Sequence, residues 1–315
     1  MEKTILTLTV NPAVDRIVTV DRLVFEDRAY IESTSEAAGG RGINVSRVLT
    51  SFGAKTTAIT TSSGRDVGRK FEEELKQDSF DKELVKIRSN IRLNITISDQ
   101  QGLSVKLNER GPKLSDIEQD RIFESVKKLL PNASWLMLCG SAPPGMDTHF
   151  YTKLIELAAR HGVETFLDTD GDSLLHGLEG QPTIVKPNQS EAERLLNTAL
   201  ITRSQQIDAV QSIKALGAKS VILSLGSRGA IAATSSEGVL EVTPPQIRSV
   251  CPIGAGDAMS AAIVWALTNG ESFGDALRWG VAAGTASSKL PGITLANFEQ
   301  TKEIYPQTQL TRIIV

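Results

Sequence analysis

Residues 251–267, CPIGAGDAMSAAIVWAL, join a glycine-rich turn to an apolar stretch that predicts a helix. Gly254, Ala255 and Gly256 lie where this helix begins, and Asp257 lies in its first turn. The first N–H groups of a helix have no intrahelical partner, the dipole is positive there, and glycine lets an anion approach closely. The segment therefore predicts a phosphate-binding helix start, in which Asp257 is either a helix cap or a general base aimed at a hydroxyl group.

A glycine-rich turn before a helix is common, and the common nucleotide motifs do not decide its role here. The pattern GxGxxG would require Gly or Ala at Met259, and GxxxxGK[ST] is absent from the chain. The choice between a capped turn and a phosphate site therefore depends on other segments.

Composition restricts the class of protein. The chain has 315 residues, of which 40% are hydrophobic, and a formal net charge of −3. These values predict a globular protein with a substantial core, and they favour a small-molecule ligand over nucleic acid. Cys139 and Cys251 lack CxxC spacing and are expected to be buried thiols. His149, His161 and His176 show no metal-ligand spacing, so we assign them no catalytic role.

The N-terminal residues lack the cationic segment, apolar core and cleavage site of a signal peptide. No apolar run approaches the ~20 residues that a membrane-spanning helix needs. We therefore expect a cytoplasmic protein with no membrane partner.

Short β-branched runs alternate with amphipathic stretches along most of the chain. The predicted strands are 5–10, 56–60, 134–139, 164–168, 183–185 and 220–225, and the predicted helices are 43–52, 67–75, 116–130, 149–161 and 190–196. Repeated βα units predict an α/β fold with a mainly parallel sheet covered on both faces.

Two regions interrupt this alternation, because they predict strands without helices between them. These strands are 16–20 and 29–33, and then 84–87, 92–97 and 103–107. They predict a small β-sheet, drawn from about 16–33 and 84–107, that forms a lid over a cleft. An antiparallel extension of the main sheet is the alternative. No linker or repeat divides the chain, so we treat 1–315 as one domain.

A second glycine cluster occurs at 39–42, where Gly39, Gly40, Arg41 and Gly42 precede a predicted helix. It again exposes backbone amides at a helix start. Arg41 adds a cation with a bidentate geometry for phosphate or sugar oxygens, and Asn44 can donate to and accept from hydroxyl groups. A tight turn is the alternative interpretation.

Polar residues also follow other predicted strands. Asp15 follows the first strand, at the edge where open α/β sheets bind ligands, although a solvated turn acid has the same pattern. Lys186, Asn188 and Glu191 follow the strand 183–185, where they fit either helix capping or contact with triphosphate and magnesium. The turn 224–230 fits either a hairpin or a nucleotide contact.

Taken together and in order, these segments resemble the PfkB branch of the ribokinase superfamily, and within it the phosphosugar kinases. This group includes 1-phosphofructokinase, tagatose-6-phosphate kinase and the minor bacterial 6-phosphofructokinase. The resemblance spans nearly the whole chain and is carried by TLTVNPAVD at 7–15, GGRGINVSRVL at 39–49, GSAPPG at 140–145, KPNQSE at 186–191, SLGSRGA at 224–230 and IGAGDAMSA at 253–261.

The resemblance implies a ribokinase-like three-layer α/β sandwich with a small β-sheet lid. It implies a phosphotransferase that uses ATP and Mg²⁺ and transfers the phosphoryl group to an alcohol group. The implied acceptor is fructose 1-phosphate, tagatose 6-phosphate or fructose 6-phosphate. A homodimer formed through the lid strands is a further implication. The alternatives are a kinase of an unphosphorylated sugar or nucleoside, and a sugar-phosphate-binding protein without catalysis.

The resemblance also implies roles for individual residues. Asp257 is the base, and Gly254, Ala255 and Gly256 form the anion hole. Substrate binding falls to Asp15, Gly39, Gly40, Arg41, Asn44, Arg92, Asn94 and Ser141. ATP binding falls to Lys186, Asn188, Ser224, Gly226 and Gly229. Glu191 and Asp168 face the metal ion through water.

Two departures from the family pattern concern the acceptor. Arg41 stands where many relatives have the lysine of GGKG, which changes the shape and hydration of the cation. Asp170 adds a carboxylate where relatives have DTSG or DSSG, and it would repel a second phosphate unless a cation compensates for it. The preferred sugar isomer is left open by the sequence.

Overall fold

The computed structural model describes residues 3–24, 26–101 and 103–314. The strands are β1 (Thr4–Thr9), β2 (Ala13–Val20), β3 (Ile31–Gly39), β4 (Thr56–Ser63), β5 (Asp81–Ile87), β6 (Arg92–Asp99), β7 (Ser104–Asn108), β8 (Ala133–Cys139), β9 (Glu164–Asp168), β10 (Ile184–Val185), β11 (Ser220–Ser224), β12 (Ala230–Thr234), β13 (Gly238–Thr243) and β14 (Gln309–Ile313). The helices are α1 (Arg41–Ser51), α2 (Asp66–Leu75), α3 (Asp116–Leu129), α4 (Phe150–Arg160), α5 (Gly171–Glu179), α6 (Gln189–Leu196), α7 (Arg203–Ala215), α8 (Ala255–Thr268), α9 (Phe273–Ser288) and α10 (Phe298–Ile304).

A ten-stranded sheet runs through the molecule in the order β14-β13-β12-β11-β10-β9-β8-β1-β4-β5. The strands from β11 to β5 are parallel, and β12, β13 and β14 add an antiparallel edge. Strand β8 is buried on both faces: Leu136 and Leu138 point to one layer, and Met137 and Cys139 to the other. The predicted mainly parallel sheet is confirmed.

Helices cover both faces of this sheet, which gives three layers. Helices α3, α4, α5 and α7 contribute side chains to the core on one face, and α1, α8 and α9 to the core on the other. Helix α8 is apolar on most of its surface because it lies between α1, α9 and the sheet. Within the described ranges, no helix is both long and apolar enough to cross a bilayer.

A separate four-stranded sheet has the order β3-β2-β6-β7 and corresponds to the predicted lid. Strand β2 pairs antiparallel with β3 and parallel with β6. A small apolar core joins this sheet to the body, where Val14 and Ala38 of the lid contact Phe71 of α2 and Ile43 of α1. The N-terminus of α1 therefore lies directly under the lid.

One part of the lid prediction is wrong. Residues 84–87 lie in β5, which pairs in parallel with β4 at the edge of the large sheet. Helix α2 connects β4 to β5, so these elements form a βαβ unit, and such a crossover places its two strands parallel in one sheet. The prediction for Cys251 is also wrong, because this residue is partly exposed whereas Cys139 is buried.

Candidate active site

The polar site lies where the carboxyl ends of the central parallel strands meet the lid. Helices α1, α6 and α8 begin at this edge, so three helix N-termini are directed toward one cleft. Ligands of open α/β sheets bind outside the carboxyl ends of the strands. The glycine segments quoted above therefore converge, although they are distant from one another in the sequence.

The start of α8 combines exposed amides with a buried carboxylate. Gly254 precedes the helix with φ 77°, a left-handed conformation that favours glycine. Gly256 is exposed to the cleft, whereas the Asp257 side chain is buried and accepts a hydrogen bond of 2.8 Å from Asn44 Nδ2. Burial and the nearby charge of Asp168 raise the pKa of Asp257 to about 6. Asp257 does not cap its own helix, since that position belongs to Gly254.

Arg47, which was not among the residues predicted from the sequence, orients the partner of Asp257. Arg47 Nη1 donates to Asn44 Oδ1 at 3.1 Å, which leaves the Asn44 Nδ2 group to donate to Asp257. Arg47 is fixed by a two-bond contact with Asp78, at 2.9 and 3.0 Å. Its place one helical turn after Asn44 was the only available signal, because residues three apart on a helix are neighbours.

Asp168 is the centre of a buried charge cluster. Its oxygens contact Lys186 Nζ at 2.9 Å, Arg41 Nη1 at 2.8 Å and Ser260 Oγ at 3.0 Å. Burial acts to raise the pKa of Asp168, but Lys186 and Arg41 outweigh it and hold the pKa below its usual range. Lys186 Nζ lies 3.7 Å from the position that a Cβ would take at Gly256, so the ammonium group is beside the start of α8.

Arg41 connects the two sides of the cleft. Its guanidinium donates to Asp168 and, at 3.3 Å, to Glu191 Oε1. Burial acts to lower the pKa of Arg41, and the charges of Asp168 and Glu191 raise it overall. The substrate-binding prediction placed Arg41 among the sugar residues, whereas its observed contacts are with the two acids predicted to face the metal ion.

The N-terminus of α6 carries a capping box, and capping was one of the two interpretations of this segment. Asn188 Oδ1 accepts from the Glu191 N–H at 2.9 Å, and Glu191 Oε2 accepts from the Asn188 N–H at 2.8 Å. An isolated parallel bridge joins Asn188 to Ser224. The turn that includes Gly226 and Gly229 connects β11 to β12 as a hairpin. The residues predicted for ATP binding thus lie on adjacent segments at the carboxyl edge of the large sheet. Asn188 and Glu191 cap α6, so any contact with a ligand would be additional to this structural role.

The side of the cleft predicted to bind the acceptor is formed by the lid. Asn94 of β6 donates to Asp15 Oδ1 at 2.8 Å, because these two residues are paired across β2 and β6. The Asp15 carboxylate lies against Gly39, where a Cβ would be 2.0 Å from Oδ2. Burial raises the pKa of Asp15. Strands β2 and β6 of the lid and the glycine cluster therefore meet at one carboxylate.

Unpartnered polar atoms are concentrated in this region. The described residues contain five buried side-chain polar atoms without a hydrogen-bond partner, and three of them are Asn11 Oδ1, Arg92 Nε and Asn94 Oδ1. Asn11, which the sequence analysis did not select, lies against Gly111 and donates to the Arg110 carbonyl at 3.0 Å. An unsatisfied buried polar atom is costly, so a cluster of them indicates a place for a polar ligand.

Two remaining residues lie at the mouth of the cleft. Ser141 comes two residues after the end of β8, and the neighbouring Gly140 lies beside the Arg41 side chain. The charge of Asp170 interacts with the guanidinium groups of Arg41 and Arg92. Arg41 is already paired with Asp168 and Glu191, so whether these cations offset the additional carboxylate for a second phosphate stays a prediction.

Comparison with known proteins agrees with this arrangement. The model of the pfkB family carbohydrate kinases matches residues 8–298. A tagatose-6-phosphate kinase from Staphylococcus epidermidis is 30% identical over 311 residues, covering 98% of this chain and 100% of the relative. A 1-phosphofructokinase from Borreliella burgdorferi is 31% identical over 309 residues, covering 98% and 99%. The crystal structure of phosphofructokinase-2 from Escherichia coli with potassium has a TM-score of 0.90 at 30% identity, covering 96% and 98%. From the shared fold and the length of these matches, the chain belongs to the pfkB family of carbohydrate kinases.

Proposed function

We propose that this kinase transfers the γ-phosphoryl group of ATP to a hydroxyl group of a ketohexose monophosphate. The candidates are fructose 1-phosphate, tagatose 6-phosphate and fructose 6-phosphate. The observation that carries the proposal is the buried Asp257 carboxylate in the first turn of α8, which accepts a hydrogen bond from Asn44 and lies near the charges of Asp168, Arg41 and Lys186. The names of the relatives support the same substrate class.

Asp257 is proposed as the general base. A pKa of about 6 leaves the carboxylate ionised near neutral pH but basic enough to accept a proton from the attacking hydroxyl group. Among the described residues, the one side-chain hydrogen bond to the Asp257 carboxylate comes from Asn44 and goes to Oδ2, so Oδ1 is proposed to face the sugar hydroxyl. Arg47 donates to Asn44 Oδ1 and thereby keeps the Asn44 amide group oriented with Nδ2 toward Asp257.

The start of α8 is proposed as the anion hole. The N–H groups of Gly254, Ala255 and Gly256 lie at the positive end of the helix, and Lys186 adds a full charge beside them. Fixed donors of this kind stabilise charge on the transferred phosphoryl group without reorganisation during the reaction. On the ATP side, Asn188, Ser224, Gly226 and Gly229 are proposed to contact the nucleotide.

The acceptor sugar is proposed to bind between Asp15, Asn94 and the backbone of Gly39 and Gly40. Asp15 can accept from vicinal hydroxyl groups, and Asn94 Oδ1 has no hydrogen-bond partner among the described residues. The same is true of Arg92 Nε, which leaves a guanidinium donor for the phosphate of the substrate. Ser141 completes this side from the end of β8.

The donor set fits Mg²⁺ held through water. Both oxygens of Asp168 and both oxygens of Glu191 already accept from protein donors. Mg²⁺ retains several waters and is usually held by one or two carboxylates together with substrate phosphates, so contact through water is consistent with these acids. When bound, the ion neutralises charge on the β- and γ-phosphates.

A substrate panel tests the proposed function. The panel measures Mg²⁺-dependent ATP turnover with the three ketohexose monophosphates and with fructose, ribose and adenosine. We expect the largest kcat/KM with a phosphorylated sugar. In Arg92→Gln this advantage should fall, because the free guanidinium Nε is lost, while Arg121→Gln on the exposed face of α3 should leave it unchanged.

Each alternative outcome of the panel would indicate a different function for this chain. Higher turnover of a free sugar or of adenosine would replace the proposal with a kinase of unphosphorylated acceptors. Calorimetric binding of a sugar phosphate without turnover of any member of the panel would identify a binding protein instead.

We also propose that the lid sheet forms a homodimer. Its two edge strands carry exposed apolar side chains: Tyr30 and Ile31 at the start of β3, and Leu103 and Leu107 at β7. Exposed apolar groups on unpaired strand edges favour association with a second sheet.

The single-domain organisation over 1–315 and the cytoplasmic location stay predictions.

Sedimentation tests this dimer. The wild-type chain is expected to sediment as a dimer, and Ile31→Lys is expected to shift it to the monomer. Ile201→Lys is the matched control, because Ile201 is also an exposed isoleucine but lies between α6 and α7, outside the lid strands. A monomeric wild type, or an equal shift in both variants, contradicts the lid interface.

A further inference from the structure

Two of the three histidines come together outside the kinase cleft. His149 immediately precedes α4, and His176 and Glu179 lie in the last turn of α5. The first turn of α4 contacts the last turn of α5, where Thr152 Oγ1 donates to the His176 carbonyl at 2.7 Å. This contact brings the two imidazole rings to a centroid separation of 4.4 Å.

The side chains of His149, His176 and Glu179 converge on a common point. The separation of His149 Nε2 and Glu179 Oε2 is 3.6 Å, and that of His176 Nδ1 and Glu179 Oε1 is 2.9 Å. One ligand atom from each residue lies within 4.8 Å of the other two. Ligands at about 2.0–2.2 Å from a tetrahedral Zn²⁺ are about 3.4 Å apart, so a small rotation of the side chains suffices.

We propose that His149, His176 and Glu179 form a site for a divalent transition-metal ion, Zn²⁺ being the ion that fits. Two imidazoles and one carboxylate are a ligand set that suits zinc, and three protein ligands leave the fourth position to water. Imidazole nitrogen is a poor ligand for Mg²⁺, which prefers oxygen, so the site is chemically distinct from the phosphate cleft.

The surroundings of His149 support this ligand set. Its Nδ1 lies 3.2 Å from Thr148 Oγ1 and 3.9 Å from Asp147 Oδ1, on the side of the ring away from Glu179. Asp147 is itself held by Lys153 Nζ at 2.5 Å and by the His149 N–H at 3.0 Å. Thr148 Oγ1 is thus the group within hydrogen-bond distance of Nδ1, and the Asp147 carboxylate adds a negative charge beside the ring; neighbours of this kind orient a metal-binding histidine and raise its basicity.

Because the site lies between α4 and α5, a bound ion would connect these two helices. Helix α4 follows the loop of Gly140 and Ser141, and α5 begins directly after Asp168 and Asp170. A bound ion would fasten the start of α4 to the end of α5. Both helices lie on the face of the sheet opposite α1 and α8, so the metal site touches neither Asp257 nor the lid.

The test is Zn²⁺ binding by the full-length chain after treatment with a chelator. Titration against a chromophoric competitor, with excess Mg²⁺ present, is expected to show one zinc ion per chain. His149→Asn, His176→Asn and Glu179→Gln are each expected to weaken binding by about 100-fold or more, and Asp147→Asn by about 10-fold. Co²⁺ in place of Zn²⁺ should give a visible absorption band in the wild type that is lost in the ligand variants.

His161→Asn is the matched control. His161 ends α4 and its Nδ1 contacts only the Leu157 carbonyl among the hydrogen bonds described, so its loss should leave zinc affinity unchanged. Thermal unfolding without zinc checks that every variant is folded, and added Zn²⁺ should raise Tm only where the three ligands are intact. Absence of zinc binding in the wild type, or equal loss in His161→Asn and His176→Asn, overturns the proposal.

Discussion

Replacing Asp257 with asparagine is expected to reduce kcat by about 10²–10⁴-fold while ATP binding is retained. The amide preserves the shape of the side chain and a contact with Asn44, but it cannot accept the proton of the sugar hydroxyl. In the wild type, kcat/KM should fall as the pH drops through about 6, because protonation of Asp257 removes the base. Steady-state kinetics from pH 5 to 8, together with calorimetric ATP binding, measure both effects.

The control for this variant is Asp172→Asn, which changes an exposed acid in the first turn of α5. It should retain wild-type turnover and the wild-type pH profile. Asp257→Asn should lose the acidic limb of the profile along with its rate. Retention of turnover in Asp257→Asn, or an unchanged acidic limb, contradicts the assignment of the base.

Replacing Asp168 with alanine is expected to lower the free energy of unfolding by about 3–5 kcal/mol. Asp168 and Lys186 are both almost fully buried, with 2% and 5% of their side chains exposed. Removing the carboxylate leaves the Lys186 ammonium group desolvated without its counter-charge, and it also removes one of the two acids that hold Arg41. Urea unfolding followed by circular dichroism measures the loss.

Two further variants test whether the loss of unfolding free energy comes from the burial of the charges rather than from ion pairing alone. Glu124→Ala removes the exposed partner of Lys127 on α3 and should cost only about 0.2–1 kcal/mol. The double variant Asp168→Ala/Lys186→Met removes both buried charges and should recover part of the loss, with a coupling of about 0.5–3 kcal/mol. A loss in Asp168→Ala no larger than that in Glu124→Ala would show that the charge cluster does not stabilise the fold.

Most of the fold could be predicted because strands buried on both faces and amphipathic helices alternate in the sequence. The assignment of 84–87 to the lid failed for an identifiable reason. No helix lies between β5 and β6, as in the lid, but α2 precedes β5, and the β4-α2-β5 crossover requires a parallel neighbour in the main sheet. Connectivity, rather than side-chain pattern, determined where this strand pairs.

The candidate site was predictable segment by segment but not in its contacts. The two glycine-rich helix starts and the polar segment 186–191 each have a local signal, so Asp257, Gly39 and Lys186 could be selected. The direction of the Arg41 side chain could not be predicted, because its partners come from β9 and α6. The meeting of His149 and His176 likewise depends on how α4 and α5 are placed, because the sequence brings only His176 and Glu179 together on one helical turn.

The hydrogen bond between Asn44 and Asp257 joins residues that are 213 positions apart, and those of Arg41 with Asp168 and Glu191 span 127 and 150 positions. Closing such long loops carries an entropic cost that is recovered only when the elements between them are in place. No fragment that ends before α8 can contain both members of the first pair. Recovery of catalysis during refolding therefore reports the completed chain, and it is expected to lag behind the formation of helical structure.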